Sequence, residues 1–161
     1  MTTGFTPHGH LTPAQTAVIA GYARGYTTLK VEERLGLSER AIRHHIERAA
    51  RRADVTGRPL PGLVNYAYLH DLFSGISRLA IRTRTPPPHR QLARSQQAVL
   101  ECMALGMSTN ATARHLGIGR ETTRAYRRGL YRRIGTTSPP HAVALGWQWG
   151  LLSHTGQAAV L

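Results

Sequence analysis

The chain repeats itself, and this limits its fold more than any other feature. Shifted by 81 positions, Leu11 meets Leu92, Gln15 meets Gln96 and Ala17-Val18 meets Ala98-Val99. Ala23, Gly25 and Thr28 meet Ala104, Gly106 and Thr109, and Leu35-Gly36 meets Leu116-Gly117. Arg43, Arg51-Arg52, Thr56 and Pro59 meet Arg124, Arg132-Arg133, Thr137 and Pro140. That makes 14 identities over the 49 positions from Leu11 to Pro59, without a gap. Self-similarity at a fixed offset marks a duplicated structural unit. Whatever fold the first copy adopts, the second must be able to adopt too. Near Leu60 to Gly62 the first copy carries two extra residues, so that Leu63-Val64 aligns with Ala142-Val143.

Each copy reads as four helices. In the first, Thr12 is a good N-cap with Pro13 at the first helical position. A helix follows over about Ala14 to Arg24, and Gly25 stops it. Thr27 caps a short helix, about Thr28 to Leu35, that ends at Gly36. Ser38 caps the next, about Glu39 to Arg52, with Ile42, Ile46, Ala49 and Ala53 forming one apolar stripe. Pro59 and Pro61 precede a last helix, roughly Gly62 to Phe73. The second copy predicts helices over about Arg94 to Leu105, Thr109 to Leu116, Arg120 to Ile134 and His141 to Gly150. Gly106 is the stop, Ser108 the cap and Gly117-Ile118-Gly119 the turn. No segment alternates with period two for long enough to be a strand. The expected fold is all-α: two four-helix helix-turn-helix modules, residues 1–73 and 92–161, joined by residues 74–91. That linker is basic, with Arg78, Arg82, Arg84 and Arg90, and its run Pro86-Pro87-Pro88 forces extended backbone.

Charge separates the copies. The chain has 21 Lys+Arg against 8 Asp+Glu, a formal net charge of +13. Residues 1–75 hold 9 basic and 6 acidic side chains; residues 76–161 hold 12 and 2. Lys30 is the only lysine, and an arginine surplus suits phosphate and base edges, because the guanidinium fork binds two acceptors at once. Cys102 has no second cysteine to bridge with, and no apolar run nears the roughly 18 residues of a membrane span. The start of the chain lacks the basic-then-apolar layout of a secretory signal. These features predict a cytoplasmic, nucleoid-associated protein with no membrane partner. His8 and His10 lack a third ligand at useful spacing, so no metal is expected, and no motif calls for a cofactor.

Two short helices joined at a glycine, the second amphipathic and rich in arginine, describe a helix-turn-helix. The turn needs glycine because one residue there takes positive φ. Gly36 and Gly117 supply it. The steep crossing asks for a small residue on the first helix and an aliphatic one on the second. The second copy has Ala113 and Thr123 there; the first has Glu32, which is poorly suited to close crossing, and Ile42.

These residues carry a resemblance. Leu11-Thr12-Pro13-Ala14-Gln15, Gly25-Tyr26-Thr27, Leu35-Gly36-Leu37-Ser38 and Ala41-Ile42-Arg43-His44-His45-Ile46 are similar to the helix-turn-helix of LuxR/GerE/NarL-type bacterial transcription regulators. So are Leu92, Gln96, Gly106-Met107-Ser108, Leu116-Gly117-Ile118 and Thr122-Thr123-Arg124-Ala125-Tyr126. Ala142-Val143-Ala144-Leu145 and Gly150-Leu151-Leu152 resemble that family's last helix. The likeness spans about 125 of 161 residues. Arg127 stands where the first copy keeps Ile46, and Tyr126 where the family has histidine.

The resemblance implies double-stranded DNA as partner and a sequence-specific, non-enzymatic transcription regulator. Its base-reading positions map to Arg43, His44 and Glu47, and to Arg124, Ala125 and Arg128. A recognition helix presents to the major groove the side opposite its core stripe. Arg40, Arg120 and Arg127 join that outward set. Arg51, Arg52, Arg132 and Arg133 are candidate phosphate grips, with Thr27, Ser38 and Ser108 at helix N-termini. Arg78, Arg82 and Arg84 are a candidate groove-tracking arm. Cys102 reads as core. The family pairs its last helices into dimers. Half-sites one turn apart lie about 34 Å apart, and an 18-residue linker reaches roughly 60 Å. The linker thus allows an intramolecular pseudo-dimer, a splayed tandem array or a homodimer. Alternative readings are an architectural or sigma-region-four-like DNA binder, and an adaptor binding a protein of the transcription machinery.

Overall fold

The computed structural model describes residues 10–74 and 91–156. Its helices run α1 (Pro13–Ala23), α2 (Thr28–Leu35), α3 (Glu39–Arg52) and α4 (Pro59–Leu69), then α5 (Arg94–Ala104), α6 (Thr109–Leu116), α7 (Arg120–Ile134) and α8 (Pro139–Gln148). Among the described residues there is no strand, and the fold is all-α as expected. No helix among them is long and apolar enough to cross a membrane.

Local chemistry sets the helix starts. Thr12 Oγ1 accepts from Gln15 N at 3.2 Å, and Gln15 Oε1 accepts from Thr12 N at 2.9 Å, a reciprocal capping box. Its counterpart keeps half of the device: Gln96 Oε1 accepts from Ala93 N at 3.1 Å, while the alanine offers no acceptor in return. Thr27, Ser38 and Ser108 cap α2, α3 and α6 by accepting from Lys30 N, Ala41 N and Ala111 N.

The last helix of each copy begins earlier than the sequence reading placed it. Pro59 occupies the first turn of α4 rather than preceding it, and Pro139 opens α8. A first-turn N–H has no helical partner to lose, so proline belongs inside that turn. Both helices also end sooner than expected, α4 at Leu69 and α8 at Gln148. Asp71, at φ 52°, and Gly150, at φ 71°, then turn the chain away.

A single hydrophobic core runs through both copies. Ile19, Ala49, Leu63 and Val64 of the first join Val99, Leu100, Leu130, Val143 and Leu145 of the second. A smaller cluster under α2 holds Val18, Tyr22, Val31 and Ile42. At the matching positions of the second copy stand Val99, Met103, Thr112 and Thr123. Both threonines are buried. The Thr123 hydroxyl donates to Gly119 O at 3.0 Å, so the polar atom is satisfied where the first copy keeps isoleucine.

The copies meet reciprocally. α4 packs against α8, while α1 packs against α8 and α5 against α4. Such exchange of equivalent contacts is the mark of an isologous interface. Tyr68 and Trp147, equivalent under the repeat, stack at 5.8 Å with planes 2° apart. Trp147 Nε1–H donates to buried Asn65 Oδ1 at 2.8 Å, and Gln148 Nε2 donates to Tyr68 OH at 3.1 Å. Arg58 N donates to Gly106 O at 2.8 Å, a backbone bond between the copies. A Cβ on Gly106 would lie 2.7 Å from Thr56 O. On the opposite side His141 fills the matching space, and a Cβ on Gly25 would lie 2.6 Å from its Nδ1. The residue aligned with His141 is Gly62. Without that side chain a groove of about 710 Å³ stays open there, bordered by Arg58, Gly62, Tyr66, Gly106, Ser108 and His115.

Candidate nucleic-acid interface

Each copy places a short helix, a left-handed glycine and a longer basic helix in succession. Gly36 has φ 65° and ψ 34°; Gly117 has φ 66° and ψ 35°. A Cβ at either would meet nothing within 4 Å, so backbone conformation rather than crowding requires glycine. Beneath the turns, Ile42 and Thr123 are buried on the inner faces of α3 and α7. Ala113 is buried at the crossing in the second copy, whereas Glu32 is only half-buried at its place in the first. Beside it Val31 packs α2 closely onto α1, where a Cβ on Gly21 would lie 2.9 Å from a Val31 methyl.

The opposite faces of α3 and α7 carry the charge. Arg40, Arg43, His44 and Glu47 are exposed along α3, and together with Ser38 and Ala41 they border a shallow hollow of about 590 Å³. Arg120, Arg124, Ala125 and Arg128 are exposed along α7. Arg51, Arg52, Arg132 and Arg133 are exposed at the C-terminal ends, where cations complement the helix dipole. Arg52 also donates to His10 O at 3.3 Å. Thr27 and Ser38 are exposed and Ser108 half-buried. Each spends an oxygen lone pair on its cap and keeps its own O–H to donate.

Arg127 is placed differently. It is half-buried, with Nη1 donating to Thr109 Oγ1 at 2.9 Å and Nη2 to Tyr131 OH at 3.3 Å. It thus ties α7 to the start of α6 instead of extending the outer row. Arg78, Arg82 and Arg84 lie outside the described residues. Cys102 is buried, and burial first, with the Glu101 charge second, pushes its thiol up to about 11.

Two residues that the sequence reading passed over complete the surface. Arg43 Nη2 donates to Glu39 Oε1 at 2.7 Å, and Arg124 Nη1 donates to Glu121 Oε1. Spacings of four and three residues along a helix were the available signal. His115 and Arg114 of α6 are also exposed beside the second turn.

Residues 90–145 match the family model of bacterial regulatory proteins of the luxR family, also called GerE. This segment is a luxR-family helix-turn-helix domain. It takes in α5, α6, α7 and the first part of α8. No curated protein and no solved structure matches the chain. The luxR-family domain supports a DNA-binding transcription regulator acting on double-stranded DNA. Within it lie Ser108, Arg120, Arg124, Arg127, Arg128, Arg132 and Arg133. The first copy repeats its order of helices, its left-handed turn glycine and its outward arginine at the equivalent of Arg124.

Proposed function

We propose that the chain is a sequence-specific transcription regulator that reads double-stranded DNA with two recognition helices, α3 and α7, in the cytoplasm. The observation carrying this reading is the reciprocal packing of α4 and α8. It joins two exposed arginine-bearing helices in one body, one of them inside the luxR-family domain. On this reading residues 1–73 and 92–161 are the two modules and 74–91 the basic connection. The α4–α8 surface that would otherwise recruit a second chain is occupied internally, so one chain supplies both reading heads.

The target then follows from the side chains. Arg43 and Arg124 occupy equivalent positions, and an arginine takes the two acceptors of guanine in bidentate fashion. Each half-site therefore presents guanine at one corresponding position. Around it the copies differ: Arg40, His44 and Glu47 stand where the second copy has Glu121, Ala125 and Arg128. Glu47 suits a cytosine amine. The site is an inverted repeat with one shared base and unlike neighbours. Arg51, Arg52, Arg132 and Arg133, with the cap hydroxyls, hold phosphates and set register.

Selection from a random duplex library tests this. A motif preferred at least about 10³-fold over a scrambled duplex is expected. Arg43→Ala and Arg124→Ala should each relax one base position at a cost of about 1–3 kcal/mol. Tight binding without a motif and with a steep salt slope would replace this reading with an architectural one, which the five exposed arginines Arg120, Arg124, Arg128, Arg132 and Arg133 of α7 also suit. No binding at moderate salt would point to a protein partner.

A further inference from the structure

Apart from Arg51-Arg52 and Arg132-Arg133 at the helix ends, Arg43 and Arg124 are the arginines that the repeat preserves on α3 and α7, and each is paired with a carboxylate on its own helix. The pairs are built differently. Glu39 stands four residues before Arg43; Glu121 stands three before Arg124. In the aligned copies, Glu39-Arg40 of the first faces Arg120-Glu121 of the second. The acid and the base have exchanged places, yet the shared arginine has a carboxylate one turn behind it in both. We infer that Glu39 and Glu121 are positioning residues. Each holds its arginine for a base edge and keeps it from serving as a general phosphate grip. This rests on the reading of Arg43 and Arg124 as base contacts.

A guanidinium has five N–H donors in a rigid plane, so a bond to one carboxylate leaves a second pair free for guanine. Fixing the plane beforehand also reduces the rotamer freedom lost on docking. A phosphate asks for something else, a mobile net positive charge. The pair Arg43–Glu39 carries none, and its carboxylate repels phosphate oxygens. Exposed ion pairs contribute little to fold stability, and both members of the Arg43–Glu39 pair are more than half exposed. The pairs therefore act on the choice between DNA sequences more than on folding. Because i−4 and i−3 partners lie on opposite flanks of a helix, Arg43 and Arg124 are drawn to different sides. The two heads thus present the same side chain at different angles.

The test uses the whole chain and two duplexes, the selected one and a scrambled one, titrated over a range of salt. Glu39→Gln, Glu121→Gln and the double substitution are compared with Arg43→Ala and with Arg43→Ala combined with Glu39→Gln. Glutamine keeps the shape and removes the charge, and thermal unfolding confirms that each variant is folded. Glu39→Gln should raise affinity for the scrambled duplex several-fold, lower the preference for the selected one and steepen the salt slope by about one. With Arg43 already replaced, Glu39→Gln should leave the preference unchanged, because it acts through that arginine. An unchanged preference in Glu39→Gln, or an equal loss with and without Arg43, overturns the inference. If Arg43→Ala itself leaves the preference intact, the base-contact reading fails and this inference falls with it. If Arg43→Ala lowers the preference and Glu39→Gln does not, only the inference falls.

Discussion

At the scale of single residues, most of the candidate surface was visible in the sequence, because helical spacing alone separates the buried stripe of α3 from its exposed side. Ile42 and Ala49 are buried, while Arg40, Arg43, His44 and Glu47 are exposed. Arg127 was not legible in this way. Its spacing fits the outer row as well as it fits a bond to Thr109, and only the approach of α6 settles which forms. Cys102 behaves as its apolar neighbours suggest and gives a test with a definite sign. Its thiol is raised from 9.0 to about 11 in the folded chain. Below pH 9 both folded and unfolded chains hold that proton, and pH has no leverage through this group. Between about pH 9 and 11 the unfolded chain releases it first, so stability falls as pH rises. Burial raises Tyr66 and Tyr68 as well, adding the same trend at higher pH. Cys102→Ser isolates the thiol. Urea midpoints at pH 8 and 10.5 should converge in the variant relative to the parent chain, and an identical pH dependence in both would refute the assignment.

At the scale of elements, the turn glycines separate two reasons for having no side chain. Gly117 sits in the left-handed region with open space around it. Gly117→Ala should cost only the conformational term, about 1 kcal/mol. Gly106 has a positive φ too, but a Cβ there runs into the carbonyls of Thr56 and Arg58. Gly106→Ala should cost about 3 kcal/mol or more, because backbone from the other copy must give way. Thermal unfolding of the two variants measures the difference, and equal losses would mean the contact between copies is unimportant. The sequence announced Gly106 as a helix stop and Gly117 as a turn residue and could not rank them, since the residues facing Gly106 are about 50 positions away in the chain. The same distance hid the true starts of α4 and α8: a proline reads locally as a boundary, and whether it lies before or within the first turn depends on packing behind it.

At the scale of the whole molecule, the reciprocal packing of α4 and α8 was beyond the sequence because the linker was long enough for either outcome. Its decisive contacts, Trp147 to Asn65 and Gln148 to Tyr68, join residues 82 and 80 positions apart. With that surface covered, the chain should sediment as a single species of 17.7 kDa at micromolar concentration and bind one per duplex. A stable species of twice that mass would show that a second surface drives assembly. His141 fills one side of the junction and Gly62 leaves the other open. A homodimer on a palindrome, turned end for end, is the same complex. This chain is not, because the groove moves to the other side. Bound beside a gene it would have a heading, upstream or downstream, and a neighbouring protein could tell the two apart.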